Sequence, residues 1–442
     1  MDQIVTAQLL VSSITIVAFV HISLICAAYL VYAERKISAY IQDRIGPNRV
    51  GFDFGLPILA PLKGMLGLGQ ALADGIKFLL KEDFTPKNVD KFLFSLAPCA
   101  IAVAAFLGTV IIPWGGVWIC PSFTIPFVNF HIEGGPVSVG GLAHINVGVV
   151  YLLAVTSLGV YGITLGGYAS NNKFSFLGGL RATAQMISYE IPMGLSILVV
   201  LLMAGSLNGQ DIIAHQTNGG WLILAQPLAA LIFFIAILAE GNRAPFDNAE
   251  CEQELVGGYH TEYSSMRFAL FFLAEYIGLL TSCAMFALFF LGGYHVPGWE
   301  LTSPENTTLL GVIAKIVVYL SKSIGLVCFT MVIRWTIPRL RYDQIMHAGW
   351  QGLIPISLAM VITASVMVYF GRTDLWANLA VNFVLITVIV IILRLSKPKI
   401  PNRKIRLAGS RFNPLPGEIV RTRPSAAMAL ADKPYEGTVG AR

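Results

Sequence analysis

Charge is the first scarcity in this chain. Asp, Glu, Lys and Arg make up 12% of its 442 residues, while 55% are hydrophobic. That charged share is about half of what a soluble domain carries. An ordinary soluble enzyme is excluded, because apolar runs near twenty residues recur and each is long enough to cross a bilayer. Cysteine is sparse as well: Cys26, Cys99, Cys120, Cys251, Cys283 and Cys328 show no C-x-x-C spacing. That pattern argues against an iron–sulfur, zinc or disulfide framework. The seven histidines form no H-x-x-H pattern. No metal, cofactor or redox centre bound by this chain alone is therefore expected. Residues 1–5 lack a basic n-region and the first apolar run is too long for an h-region, so no cleavable signal peptide is expected. No internal repeat is evident either.

What remains is an all-α polytopic membrane protein. Nine spanning helices are expected, at about 7–33, 92–112, 147–167, 184–204, 221–239, 265–291, 309–333, 352–371 and 375–394. The connections 113–146, 205–220 and 292–308 contain no Lys or Arg, and the one after the eighth span contains only Arg372. The alternate connections and the tail hold 27 of the 30 bases. The positive-inside rule then puts the N-terminus outside and the tail in the cytoplasm, and an N-terminus without a transit peptide suits a bacterial inner membrane. Residues 395–442 carry ten bases and three acids with no apolar period. They read as an irregular basic tail resting on anionic lipid or a partner surface.

Two further segments stand out. In 55–83, Lys63, Gln70, Asp74, Lys77 and Lys81 fall on one helical stripe with Leu, Ile and Met elsewhere. The expectation is an amphipathic helix lying in the membrane plane. The stretch "AEGNRAPFDNAECEQELVGGYH" (239–260) sets Glu240, Asp247, Glu250, Glu252 and Glu254 against one base, Arg243. An acidic loop on the basic side is not a topology signal. It needs a chemical reason.

Ionisable groups inside the hydrocarbon invite that reason, since each costs about 2.5–3.5 kcal/mol at a helix centre. Glu190 is expected roughly 14 Å deep, Glu275 near the midplane, and Glu240 at the end of its helix. Lys322 is expected at the depth of Glu275 on the next helix, so the two are expected to pair. Around Glu190, Arg181, Gln185, Ser188 and Tyr189 form a polar stripe at helical spacing. Each acid on its own reads equally well as a packing ion pair. The graded set, descending from the loop, reads as a proton route. Lys315 is expected to snorkel outward.

The motifs "AERKISAYIQDRIGPNRVG" (33–51), "ALADGIKFLLKED" (71–83), "LGGLRATAQMISYEIPMG" (177–194), "AEGNRAPFD" (239–247), "GYHTEYSSMRFALFFLAEY" (258–276) and "PRLRYDQIMHAGW" (338–350) carry a resemblance. In order and spacing they resemble the quinone-channel, H-type membrane subunit of respiratory complex I, the proton-pumping NADH:quinone oxidoreductase. The likeness runs from about residue 5 to 395. It implies a chain that joins hydrophilic quinone-site subunits to membrane pump subunits, with quinone as substrate and membrane lipid around it. FMN and iron–sulfur clusters then belong to partner subunits, and no nucleic acid is involved. Carried onto matching positions, Glu34, Arg35, Lys36, Arg44 and Arg49 would line or support the channel mouth, with Asp74 on the in-plane helix. Arg243, Asp247, Glu250, Glu252 and Glu254 would face the quinone chamber. Glu190, Glu240 and Glu275 would pass the redox signal into the membrane. There are departures: Asn248-Ala249 stands where the family usually has Leu-Pro, and Cys251 and Gln253 replace small residues. Two rivals remain: the related membrane subunit of an energy-converting hydrogenase-type complex, and a secondary ion transporter.

Overall fold

One-sided burial on long apolar helices organises the computed structural model, which describes residues 7–52, 64–125, 130–132, 134–140, 145–249 and 252–395. The chain divides into two units, Met1–Ile386 and Thr387–Arg442. Of the second, the described part is residues 387–395, the end of the last helix. Helix α1 (Ala7–Ile41) shows how the first unit is built. Its buried residues include Ala7, Val11, Thr15, Phe19, Ser23, Ala27, Leu30 and Glu34, a stripe at three- and four-residue steps. One face therefore meets protein and the rest meets lipid. At 1.5 Å per residue α1 is about 52 Å long, well beyond a hydrocarbon core of about 30 Å. Its last turns, with Glu34, Arg35 and Lys36, project past that core on the basic side. The stripe is what turns Glu34 inward.

Helix α2 (Gln70–Leu80) follows a 3₁₀ turn at Met65–Gly67. The segment expected as an in-plane helix over 55–83 is thus helical over its later part, and residues 53–63, including Lys63, lie outside the described residues. Here the glycines have a job. A Cβ on Gly67, whose φ is +81°, would lie 2.6 Å from the Pro47 carbonyl oxygen, and one on Gly69 would strike the Gly51 carbonyl. The "GPNRVG" loop is a backbone shelf under the start of α2.

Next come α3 (Lys91–Ile111), capped by the Asp90 carboxylate accepting from the Phe92 and Leu93 amides, and then the far-side connection. That connection holds two short antiparallel pairs, which an all-helical reading does not anticipate. Strand β1 (Gly116–Cys120) pairs with β4 (Gly135–Val139), and β2 (Phe123–Ile125) with β3 (Phe130–Ile132). The membrane part itself is all-α. Helices α4 (Gly148–Ala169) and α5 (Lys173–Ala204) form a hairpin, followed by α6 (Gly209–Gly219).

The fifth expected span, 221–239, is broken into α7 (Leu222–Ala225) and α8 (Pro227–Glu240). Gln226 between them leaves helical geometry at φ −129°, and Pro227 begins the next helix. Asn382 closes the break, its amide donating to the Ala225 carbonyl at 3.1 Å and to Gln226 Oε1 at 2.7 Å. At 14 residues α8 is about 21 Å long, short for a span. A short α9 (Glu252–Leu255) and a 3₁₀ turn at Gly258–His260 lead into α10 (Ser265–Phe290), then α11 (Leu309–Thr336). Helix α12 (Tyr342–His347) runs through a π turn (Ala348–Leu353) into α13 (Ile354–Tyr369), and α14 (Leu375–Leu395) ends the described chain. Among the described residues, eight helices are long and apolar enough to cross a membrane, with α8 as a shorter ninth.

Candidate functional site

Buried charges of both signs converge between α1, α10, α11 and the acidic loop. Glu34 accepts from Arg334 Nη1 at 2.5 Å and from the Tyr276 hydroxyl at 2.5 Å. Glu275, the next residue back on α10, accepts from the Tyr259 hydroxyl at 2.5 Å. Arg243 lies between the two acids, 3.6 Å from Glu34 and 3.8 Å from Glu275, with its guanidinium 4.5 Å over the Tyr276 ring. It is 5% exposed. Neighbours on a helix point about 100° apart. That is why α10 can turn Glu275 to the Tyr259 hydroxyl and Tyr276 to the Glu34 carboxylate. Asp247 stands at the edge of this cluster. Burial pushes its carboxyl above the usual range, against the pull of Arg334 and Arg339.

Two cavities lie beside these acids. The larger, about 860 Å³, is mostly apolar and lies between α1, α2 and α10. Glu34, Arg35, Asp74, Phe268 and Tyr276 are among the residues that line it. Arg35 and Asp74 form a 2.7 Å ion pair there, which ties α2 to α1. Its size and apolar wall suit a flat organic molecule with a long apolar tail. The smaller cavity, about 70 Å³, is lined by Glu240 and Glu275 together with Ser282 and Thr156. Ser282 donates to Glu240 at 3.4 Å. Glu34 therefore faces one cavity and Glu275 the other.

The α5 stripe does a different thing. Gln185, fully buried, donates to the carbonyls of Ala239 at 2.9 Å and Phe246 at 2.7 Å. The Tyr189 hydroxyl donates to Ile345 O at 3.0 Å, and Arg181 pairs with Glu254 at 2.5 Å. One helical face thus grips both ends of "EGNRAPFD" and the α12 segment. Close approach helps: a Cβ on Gly178 would lie 2.7 Å from Gly258 Cα. Glu190 faces Ser157, and its charge acts on Glu240.

The other expected residues are more scattered. Lys36 donates to the Ile45 carbonyl at 3.0 Å, Arg44 to Gln42, and Arg49 is exposed. Glu250 and the side chain of Glu252 lie outside the described residues. The expected Glu275–Lys322 pair is absent. Lys322 Nζ donates instead to the carbonyls of Leu291 at 2.7 Å, Gly293 at 2.9 Å and His295 at 2.7 Å. Helical side chains lean toward their own N-terminus, so on antiparallel helices Glu275 leans to the basic side and Lys322 to the far side. Lys315 does not reach solvent either: it is 0% exposed and donates to Asn306 O at 2.6 Å. Three partners went unread in the sequence: Tyr259, Tyr276 and Arg334.

A multi-pass helical membrane protein with a shared buried cation between an apolar cavity and a carboxylate-lined one is the class this architecture defines. Among the described residues no group of three or more His, Cys, Asp or Glu could hold a metal ion. The family model for NADH dehydrogenase matches residues 14–365. The chain is 43% identical over 365 residues to an H-type NADH-quinone oxidoreductase subunit of Cytophaga hutchinsonii, covering 82% of this chain and 98% of that one. It is 41% identical to the corresponding chain of Flavobacterium psychrophilum with the same coverage. To one from Geobacter metallireducens it is 45% identical over 351 residues, 79% of this chain and 94% of the relative. The chain belongs to the NADH dehydrogenase family, with the H-type subunits of bacterial NADH-quinone oxidoreductases. Nearly all of each relative aligns with about four fifths of this chain, so this chain carries sequence they lack.

Proposed function

We propose that this chain is the membrane subunit through which quinone reaches an NADH:quinone oxidoreductase, and that it relays the charge of reduction into the membrane as protons. The large cavity is the quinone path, and the acidic-loop side faces the cytoplasm, as the placing of 27 of the 30 bases suggests. One observation carries the reading: Arg243 lies within 3.6 Å of Glu34 and 3.8 Å of Glu275, two acids that face different cavities.

Quinone accepts two electrons, from an iron–sulfur cluster of a partner subunit, and two protons to become quinol. Negative charge appearing at the head of the large cavity draws the Arg243 guanidinium toward the Glu34 side. Glu275 then loses a share of its cation and takes up a proton. When quinol forms, the charge vanishes, Arg243 returns, and Glu275 releases that proton toward Glu240 and Glu190. Gln185, Tyr189 and Arg181 hold the loop so that Arg243 moves against a fixed frame. Lys322, tied to backbone carbonyls at the far side, stands outside this relay.

The test is Glu275→Gln, which keeps the shape and removes the proton site. In the purified complex, NADH:quinone reduction and proton pumping should fall together by about a hundredfold. NADH oxidation by an artificial acceptor at the hydrophilic arm should stay normal. Wild-type quinone reduction and pumping in the assembled variant would refute the relay. Co-purification with an NADH- and flavin-binding module separates this enzyme from a hydrogenase-type complex.

A further inference from the structure

Helices α3, α4, α5, α8 and α10 leave a gap beside Glu240 and Glu275, and glycine keeps it. Gly159 on α4 and Gly278 on α10 both line the small cavity. Gly159 is buried, yet a Cβ built on it meets no heavy atom within 4 Å, and the same holds at Gly278. Most buried helical glycines here are the reverse. Three residues after Gly159, a Cβ on Gly162 would lie 2.7 Å from Ile101 Cβ, so that glycine is there for packing. At Gly159 and Gly278 no neighbour demands the missing side chain. Their missing Cβ atoms leave space in the cavity. About 70 Å³ is enough for a few water molecules, and Glu240, Glu275, Thr156 and Ser282 supply the polar partners that water needs.

We propose that Gly159 and Gly278 are positioning residues that hold open a hydrated gap carrying a proton between Glu275 and Glu240. Side-chain bulk at these two positions then sets whether the proton crosses. This rests on the carboxylate relay proposed above. The step balances without an oxidant or reductant. Protonated Glu275 gives its proton to a water, a neighbouring water gives one to the Glu240 carboxylate, and no electron moves. Glu275 and Gly278 are one turn apart on α10, with Ser282 one turn further on. A side chain added at Gly278 therefore projects between the donor and the hydroxyl that already bonds Glu240.

The experiment uses the whole complex with Gly278→Ala, Gly278→Val, Gly278→Thr and Gly159→Val, beside Gly325→Leu on an exposed face of α11 as control. NADH oxidation by an artificial acceptor reports assembly. Gly278→Val and Gly159→Val should lower proton pumping by about tenfold or more, while Gly325→Leu leaves it unchanged. Val and Thr are nearly the same size, but the Thr hydroxyl can pass a proton. Gly278→Thr should therefore keep several times the activity of Gly278→Val. A role in packing alone predicts Thr equal to or worse than Val, and that result would overturn the proposal. So would a failure of Gly278→Ala to assemble, because the space would then not be open. Glu275→Gln is run alongside. If it is impaired while the valine variants pump normally, the gap is wrong and the relay stands; if it pumps normally, the relay itself falls.

Discussion

The two sides of the membrane part treat buried cations in opposite ways. On the acidic-loop side, Arg243 is shared between side chains, at 3.6 Å from Glu34 and 3.8 Å from Glu275. On the far side, Lys322 is fixed by three backbone carbonyls at 2.7–2.9 Å, with its ammonium 4.9 Å over Trp221. Carbonyls cannot change protonation state, and these three move only with the backbone of the turn that follows α10. Carboxylates can change protonation state, and loop side chains can move without the backbone. In the proposed relay the loop side responds and the far side stays fixed. The comparison teaches that a buried charge marks a responsive site through the nature of its partners, not through depth.

The strongest way to break this comparison is to remove the shared cation. Arg243→Met leaves Glu34 and Glu275 buried with less positive charge, and loss of one partner of a buried pair costs about 3–5 kcal/mol. The expected outcome is poor assembly and negligible quinone reduction. Adding Glu34→Gln to Arg243→Met should recover part of the stability, and a double-mutant cycle measures that coupling. A coupling near zero would mean that the acids do not hold the guanidinium.

Tyr259→Phe is gentler. It deletes the 2.5 Å bond to Glu275, and a hydrogen bond to a charged group contributes about 1.5–3 kcal/mol. Quinone reduction and proton pumping should fall several-fold together while assembly persists. Unchanged rates would place the Tyr259–Glu275 contact outside the relay.

Lys322→Met sharpens the contrast from the other side. Three carbonyls lose a donor, at a cost of about 1–3 kcal/mol, so the complex should lose heat stability. Quinone reduction per assembled complex should stay within about twofold of wild type. Collapse of that rate in assembled complexes would put Lys322 on the relay and dissolve the distinction between the two sides.

Much of this was legible from residue order. Apolar run length located the long helices, and helical spacing found the Arg181–Gln185–Tyr189 face. What failed has common physical causes. Counting residues gives depth but not lean, so Glu275 and Lys322 read as partners although their helices point them apart. An apolar run does not reveal a break that a distant residue repairs. Asn382, more than 150 positions away, closes the gap at Gln226 and so the fifth span looked continuous. The hairpins over 113–146 carry no membrane signal, and their pairing is visible only once the strands meet. Tyrosine hydroxyls are equally silent: Tyr259 and Tyr276 read as apolar aromatics until their acids are placed beside them.

The smallest expected effect concerns Asp247, outside the spans. Burial raises its carboxyl above the usual range in the folded protein, although Arg334 and Arg339 oppose that rise. Its Oδ1 is buried without a hydrogen-bond partner among the described residues. The sign follows from proton linkage. Between the ordinary carboxylate range and the raised folded value, the folded protein holds this proton more tightly than the unfolded chain does. Stability from this group therefore falls as pH rises through that window, and is level above it. Asp247→Asn cannot titrate, and it deletes no bond to Oδ1. Its heat stability should match wild type in acid and exceed it increasingly as pH rises through the carboxylate range. Retention of this chain in the intact complex after heating, followed from about pH 4 to about pH 8, measures the difference. A variant less stable than wild type at the upper end would show that Arg334 and Arg339 outweigh burial. Asp247 would then belong with the fixed charges, not with the responsive ones.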